Sequence, residues 1–241
     1  MCGRYTLRRV NLVRAALDAM PVFPFEEFSE HVRFNIAPSQ MVALARVNHQ
    51  GQRVLDLARW GLIPSWAKTL PKLQPINARA ETLSTGGMFR NAFERRRCLI
   101  PADGFYEWKA ADKRTKQPFF IHFKDDRPFA FAGLWERWKP GTDAEPIQSC
   151  TIITTSPNEV LRPIHNRMPA IVRPQDYTRW LDPDTPGSAV RDLLEPIPAA
   201  EMEAYPVNTR VNRPANDGPD LIERCEGEFA NPPEKEDAGL F

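Results

Sequence analysis

Proline is unusually frequent in this chain, and it limits what the chain can fold into. The sequence contains 24 prolines among 241 residues, about twice the usual share of ~5%. Proline has no backbone donor and breaks the interior of a helix or the middle of a sheet, so it is confined to turns, helix starts and edge strands. Long helices therefore cannot dominate the fold.

Short strand-like segments make up most of the chain between its turns. Each is rich in β-branched or aromatic residues and ends at Pro, Gly or Asp, as strands commonly do. The predicted strands cover residues 41–47, 53–61, 96–102, 118–123, 129–136, 149–155 and 168–173. The predicted helices are an amphipathic one over 9–20 and short ones at 157–163, 175–181 and 188–195.

The order of these segments predicts a single domain. No linker separates two cores, so we expect one α+β domain built on a curved, mostly antiparallel sheet. Residues 224–241 are acidic, contain proline and lack periodic apolar residues, which is typical of a loose tail.

Charge and cysteine usage exclude several classes of protein. A net charge of +1 gives no global attraction to nucleic acid, so any such binding must come from a local patch. The four cysteines form no CxxC pair and argue against a metal site; Cys98 and Cys150 stand in apolar runs, as small core residues do. No apolar run nears the roughly 18 residues of a membrane span, and no signal peptide is present. We therefore expect an intracellular protein that does not contact a membrane.

The second residue, in "MCGRY", is the first candidate for chemistry. Removal of Met1 would give Cys2 two nucleophiles, an α-amine with a pKa of about 7.7–8.0 and a thiol with a pKa of about 8.5, each partly reactive at neutral pH without tuning. With an aldehyde the pair can form an imine and then a thiazolidine ring. With an amide the thiol can attack while the amine serves as base. The alternative is an incidental cysteine.

The segment "PINARAET" is the second candidate. Asn77, Arg79 and Glu81 alternate, so they would share one side of an extended segment. Asparagine can orient an amine or a carbonyl, and arginine suits a phosphate or a carboxylate. A turn leading into a capped helix would explain the same string.

The segment "CLIPADGFYEW" offers a carboxyl group for acid–base chemistry. Glu107 stands between Tyr106 and Trp108, and a carboxyl held among aromatic rings has a raised pKa that suits proton transfer. The alternative is a strand residue that faces water.

In "RPIHNRMPAIV", His165 and Arg167 precede an apolar strand. A histidine at such a junction suits a proton shuttle or a phosphate contact, although isolated histidines are more often structural.

Two segments intersperse basic and aromatic residues. They are "RWGLIPSWAK", with Trp66 and Lys68, and "MFRNAFERRR", with the run 95–97. Such mixtures can stack bases and contact the phosphates of single strands. They can equally be core aromatics beside a solvated charged face.

Taken in order, six blocks resemble the SOS-response-associated peptidase (SRAP) family over residues 1–223. The blocks are "MCGRY", "RWGLIPSWAK", "NARAET", "CLIPADGFYEW", "IHNRMPAIV" and "VNTRVNRPANDGPDLIE". The resemblance implies a single α+β domain with a β-barrel-like core, a few short helices and a basic groove.

The resemblance also implies a function. Family members crosslink to abasic sites in single-stranded DNA through a thiazolidine that the exposed terminal cysteine forms, a lyase-like activity, and the family name implies a peptidase, which is a hydrolase. The implied catalytic residues are Cys2, Asn77, Glu107 and His165, and the implied DNA-binding residues are Arg4, Arg79 and Arg167, with Trp66 as a stacking residue. We expect no cofactor or metal, a monomer, and a cytoplasmic protein that is nucleoid-associated when engaged.

Two other readings remain open. One is an N-terminal-nucleophile amidohydrolase, because class II glutamine amidotransferases also begin with Met-Cys-Gly; they would be expected to carry a glutamine-binding Gly-Asp segment and a second synthase domain, and the sequence has neither. The other is a non-catalytic single-strand binder that uses Trp66 and the arginines.

Overall fold

Strands in two sheets form the core of the computed structural model, which describes residues 2–10, 17–24, 32–85, 87–110, 115–141 and 144–225. The strands are β1 (Arg4–Leu7), β2 (Met20–Pro21), β3 (Arg33–Ile36), β4 (Met41–Val47), β5 (Arg53–Trp60), β6 (Asn77–Arg79), β7 (Arg97–Ala102), β8 (Gly104–Ala110), β9 (Lys116–Phe123), β10 (Phe129–Trp138), β11 (Ile147–Thr155), β12 (Met168–Pro169), β13 (Ile171–Val172) and β14 (Met202–Pro206). The α-helices are α1 (Arg90–Arg95) and α2 (Tyr177–Leu181), and 3₁₀ helices lie at Ala80–Thr82, Pro174–Asp176, Gly187–Leu194, Ala199–Glu201, Thr209–Asn212 and Pro219–Ile222.

The larger sheet closes on itself. β11 pairs with β10 on one side and in parallel with β5 on the other, while β10, β7, β4 and β5 pair antiparallel in succession. These five strands therefore form a barrel, and β6 and β12 extend it along β11. The smaller sheet is antiparallel, in the order β14-β9-β8-β1-β3. The prediction of an α+β domain with a curved, mostly antiparallel, barrel-like core is confirmed.

Aromatic side chains join the two sheets. Tyr5 of β1 meets Trp60 of β5 edge-on, with ring centroids 5.4 Å apart, and Phe131 of β10 at 5.7 Å. Such edge-to-face pairs add about 1 kcal/mol each beyond the burial of their area. Cys98 and Cys150 are completely buried in the same core, which confirms them as small core residues.

The strand predictions succeed more often than the helix predictions. Each predicted strand is present within two residues at its ends, although 168–173 splits into β12 and β13. The helix predicted at 157–163 is wrong, because these residues form turns and Pro163, which has no N–H, cannot continue a helix. The helix predicted over 9–20 lies largely outside the described residues, and Met20 belongs to β2. Helical structure near 175–181 and 188–195 is confirmed, the latter as a 3₁₀ helix.

The C-terminal part of the fold reaches the beginning of the predicted tail. Arg224 forms a backbone bridge with Val207, and the amide of Cys225 donates to the carbonyl of Pro206 at 2.9 Å. Residues 226–241, the rest of the predicted tail, lie outside the described residues. None of the helices described is long and apolar enough to cross a membrane.

A buried arginine holds one end of the barrel to α2. Arg97 is 3% exposed and donates to the carbonyl oxygens of Phe93, Glu94, Trp180, Asp182 and Thr185. Its guanidinium thus satisfies the carbonyls at the end of α1 and in the turn that follows α2.

Replacing Arg97 with methionine should destabilise the fold, because several buried carbonyls lose their donors. We expect a loss of about 3 kcal/mol, which corresponds to a fall in Tm of about 10 °C for a chain of this size. Thermal unfolding followed by circular dichroism measures it, with Arg90→Met, at an exposed position of α1, as the control. A fall in Tm no larger than that of the control would contradict this role.

Candidate active site

Cys2 lies directly before β1 and is completely buried. β1 pairs with β8 so that Arg4 is opposite Tyr106 and Tyr5 is opposite Phe105. The Sγ atom of Cys2 lies 4.0 Å from the carbonyl oxygen of Arg4. The strand pairing therefore brings Cys2 to the part of β8 that carries Glu107.

Burial keeps the Cys2 thiol protonated. Burial raises its pKa well above the usual value, and the negative charge of Glu107 raises it further. The expectation that this thiol is partly ionised at neutral pH without tuning is therefore wrong for the folded chain. The thiol needs a base before it can act as a nucleophile.

Glu107 supplies a carboxyl group that can serve as that base. Its side chain lies on β8 and is 1% exposed. Burial raises its pKa to about 6, near the range in which a carboxyl both gives and takes protons at neutral pH. The alternative of a water-facing strand residue is excluded, and its catalytic role stays a prediction.

Asn77 offers a buried acceptor. It begins β6, opposite Ile152 of β11, and its side-chain nitrogen donates to the Ile152 carbonyl at 3.5 Å. Its Oδ1 atom is buried, and within the described parts of the chain no donor reaches it. A buried acceptor without a donor is costly, so this oxygen is suited to receive an N–H from a bound amine.

The ring of His165 is held in one tautomer. The backbone N–H of Arg167 lies 3.0 Å from Nδ1, and the Arg167 carbonyl oxygen lies 3.3 Å from the same atom. Because an amide N–H can only donate, Nδ1 accepts the shorter bond and the neutral ring carries its proton on Nε2. Burial lowers the pKa of His165, so the ring is neutral at pH 7 and offers an Nε2–H donor.

Arg167 is bound by Glu81. Its guanidinium makes two hydrogen bonds to the Glu81 carboxylate, at 2.6 and 3.0 Å, and a third to the carbonyl of Thr154. The hydrogen bond from Arg167 lowers the pKa of Glu81. β6 ends at Arg79 and Glu81 lies in a 3₁₀ helix, so Asn77, Arg79 and Glu81 do not share one strand face as predicted. Instead, Glu81, just after the end of β6, binds Arg167 in the loop that carries His165.

Arg4 is also occupied by internal partners. Its guanidinium donates to Asn35 Oδ1 at 3.0 Å and to the carbonyl oxygens of Val211 and Asn212 at 2.6 and 3.2 Å. The side chain of Asn212 in turn accepts from the indole N–H of Trp108 at 2.7 Å. Asn212 belongs to the block "VNTRVNRPANDGPDLIE", to which the sequence analysis assigned no role. This block therefore contacts Trp108, the residue that follows Glu107 on β8.

Arg79 and Trp66 are the exposed members of the predicted set. Arg79 makes no ion pair within the described residues, and Trp66 is 63% exposed in the connection between β5 and β6. Lys116 was missed by the sequence reasoning. Burial is the main cause of the pKa shifts of Glu107 and His165, and the positive charge of Lys116 lowers both pKa values. Only the pairing of β8 with β9, which sets Lys116 opposite Ala110, reveals this residue.

The arrangement combines four functional groups. The protonated thiol of Cys2 lies near the carboxyl group of Glu107, whose pKa is about 6. The side-chain oxygen of Asn77, which has no described donor, and the imidazole N–H of His165 belong to segments next to β11. Such a set can move protons between a nucleophile and a carbonyl carbon.

Comparison with known proteins gives consistent results. The family model described as SOS response associated peptidase (SRAP) matches residues 1–214. The chain is 44% identical over 230 residues to the abasic site processing protein YoqW of Bacillus subtilis, a match that covers 92% of this chain and 99% of the relative. It is 30% identical to the abasic site processing protein YedK of Escherichia coli, with the same coverages.

A solved structure shares the fold. The crystal structure of a protein from Bacteroides thetaiotaomicron, 24% identical, superposes with a TM-score of 0.81 and covers 93% of this chain and all of that one. At this identity the likeness concerns the fold alone.

Proposed function

Because the chain belongs to the SOS response associated peptidase family, we propose that it processes abasic sites in single-stranded DNA by forming a covalent crosslink through Cys2. Its relatives named abasic site processing proteins support the substrate. The observation that carries the proposal is the fully buried thiol of Cys2 next to a buried carboxyl, Glu107, whose pKa is raised to about 6.

Activation requires the loss of Met1. Only then does Cys2 present an α-amine beside its thiol. A side chain as small as that of cysteine is accepted by methionine aminopeptidase, and autoproteolysis, which the family name suggests, is a second route to the same terminus.

The first bond forms between nitrogen and carbon. Glu107 moves a proton from O1′ to O4′ of the abasic deoxyribose, which opens the ring to an aldehyde. The α-amine of Cys2 donates a hydrogen bond to Asn77 Oδ1, and its lone pair attacks the aldehyde carbon to give a carbinolamine. The carboxyl form of Glu107 gives a proton to the hydroxyl, which leaves as water while His165 Nε2–H hydrogen-bonds to its oxygen. The nitrogen then returns a proton to Glu107, and an imine results.

The second bond forms between sulfur and the same carbon. Glu107 takes the proton of the Cys2 thiol, the sulfur adds to the imine carbon, and the nitrogen receives a proton, which closes a five-membered thiazolidine. The sum of both steps is the loss of one water molecule. Cyclisation removes the imine that would otherwise favour β-elimination, so the strand is shielded rather than cut.

Exposed groups around the site provide DNA contacts. Arg79 has no described ion-pair partner and suits a phosphate, and Trp66 offers an indole for base stacking. Arg4 and Arg167, each bound to internal acceptors, act mainly by holding the walls of the site. Phosphate contacts make binding salt-dependent and independent of sequence.

A denaturing gel tests the proposal. The purified protein is incubated with a labelled single-stranded oligonucleotide that bears one abasic site, and we expect an adduct that survives boiling in detergent. The same strand without the lesion should give none. No adduct, or an equal adduct with the intact strand, would overturn the proposal, and ammonia release from glutamine would favour an amidohydrolase instead.

Glu81→Gln tests how Arg167 acts. The glutamine keeps the size of the side chain but loses the charge that aligns Arg167, so we expect the His165 loop to loosen and crosslinking to slow by about tenfold. Binding of the intact strand should be unchanged in a filter-binding assay, as it should be for Glu159→Gln, an exposed control. If Glu81→Gln instead tightens binding at an unchanged rate, Glu81 competes with a DNA phosphate for Arg167.

A further inference from the structure

The end of the barrel opposite the candidate active site opens into a cavity of about 1090 Å³. We name it the arginine cavity. Its walls are formed by the end of β4, the beginning of β5, the end of β10 and the beginning of β11. Arg95 and residues 181–184 also line it. The side chains that matter for its chemistry are those of Arg46, Arg53, Arg95, Trp135, Arg137 and Gln148.

This cavity is separate from the site that holds Cys2. Gln148 lines the arginine cavity, whereas Ile152, four positions later on β11, is opposite Asn77. Four residues of a strand span ~13 Å. The proposed crosslinking chemistry uses no residue of the arginine cavity.

Its cationic groups exceed its anionic ones. Arg46 pairs with Asp56 at 2.6 Å, so these two charges compensate each other. Arg95 and Arg137 are exposed and form no ion pair with any described residue. The carboxylates that remain are those of Asp182 and Asp184, and Asp182 already accepts hydrogen bonds from the Thr185 hydroxyl and the Asp184 amide. The lining therefore holds four arginines and three aspartates, an excess of one positive charge, and Arg95 and Arg137 are its arginines without a described ion pair that are most exposed to an anion.

An aromatic surface lies beside these arginines. Trp135 is half-buried and lines the cavity, with the Arg46 guanidinium 4.7 Å from the centre of its ring. Arg137 follows Trp135 two residues later, on the same face of β10. An indole next to guanidinium groups matches the two parts of a nucleotide, because bases stack on aromatic rings and arginine binds phosphate through two parallel hydrogen bonds.

We propose that the arginine cavity is a second binding site, which takes a nucleotide with its phosphate against Arg95 and Arg137 and its base against Trp135. The volume suits a ligand of this size. The nucleotide is either free or part of a strand, and the two sources share the same chemistry.

Calorimetric titration of the full-length protein tests the proposal without any crosslinking step. The probes are deoxyadenosine monophosphate, inorganic phosphate and an undamaged thymidine dodecamer at low salt. We expect the double variant Arg95→Gln/Arg137→Gln to bind the mononucleotide or the dodecamer at least tenfold more weakly than the wild type. The charge-matched control Arg90→Gln/Lys124→Gln, at exposed positions outside the cavity, should bind within twofold of the wild type.

The outcomes separate the sources and the sites. If the wild type binds the mononucleotide and the double variant does not, a free nucleotide is a sufficient ligand. If the double variant loses binding of the dodecamer alone, the ligand is a DNA strand. The proposal is overturned if the wild type binds no probe, if inorganic phosphate binds as tightly as the mononucleotide, or if only Arg79→Gln weakens binding. Because crosslinking to an abasic strand is measured separately, failure of this site leaves the proposed function intact.

Discussion

Cys2→Ala should form no denaturation-resistant adduct with an abasic strand. We expect a loss of about 100-fold or more, the scale on which removal of a nucleophile acts. Alanine keeps the α-amine after Met1 is removed, so the imine still forms but cannot close to a thiazolidine. Borohydride reduction should therefore still trap a crosslink, and strand cleavage by β-elimination should increase. Gel analysis with and without the reductant measures both effects.

Cys225→Ala is the matched control for Cys2→Ala, because Cys225 is a half-buried cysteine that plays no part in the proposed site. It should crosslink like the wild type. Intact mass should show that the active protein lacks Met1, and a species that retains Met1 should be inert. A Cys2→Ala protein that gives a boiling-resistant adduct as efficiently as the wild type would refute the thiazolidine.

Glu107→Gln should slow crosslinking by about 100-fold at pH 7 while strand binding is retained. Glutamine has the same shape but cannot take the proton of the thiol or move one on the sugar. The pKa of Glu107 is raised to about 6 by burial, so the wild-type rate should fall as the pH drops below 6, where the carboxyl is protonated. The variant should lack this dependence. Single-turnover rates between pH 5 and 8 measure it, and loss of binding without loss of rate would contradict the acid–base role.

Measuring the stability of the Glu107→Gln variant shows whether its slower crosslinking reflects lost acid–base chemistry or partial unfolding. The folded-state pKa of Glu107 lies above that of an ordinary carboxyl, so the folded chain holds more protons than the unfolded chain between about pH 4.5 and 6. Stability contributed by the protonated group is therefore lost as the pH rises through this window, by about 2 kcal/mol. At pH 8 the Glu107→Gln variant should therefore be at least as stable as the wild type. A slower crosslinking rate at that pH cannot then be ascribed to unfolding.

Local sequence patterns predict the strands, whereas the barrel-like core was implied only by the resemblance to the SRAP family. Segments such as 41–47 and 149–155 carry a local signal in their β-branched and apolar residues, and they form β4 and β11 within two residues. Closure of the barrel depends on the parallel pairing of Ser149 with Arg59, ninety positions apart in the chain and without a local pattern. The helix predicted at 157–163 failed because Pro163 and the turns around it outweighed a favourable start.

The candidate site shows the same division between local and distant information. The aromatic neighbours of Glu107 in the sequence indicated a buried carboxyl but left a water-facing strand residue open, and the structure decides for burial. The raised pKa of the Cys2 thiol could not be predicted, because it depends on β1 lying between two other strands. Likewise, the pair of Glu81 with Arg167 joins residues 86 positions apart, so an arginine that sequence assigns to a phosphate already has a carboxylate partner.

The complete burial of the Cys2 side chain has a further consequence for the lifetime of the protein. Peroxides and alkylating agents react with accessible thiolates, and the Cys2 sulfur is neither accessible nor ionised. Under the proposed function Cys2 reacts only once, and its burial would protect the thiol from small oxidants while no lesion is present. In the proposed mechanism a nearby base and the aldehyde of the lesion activate the thiol, so the burial that slows its reaction also protects it.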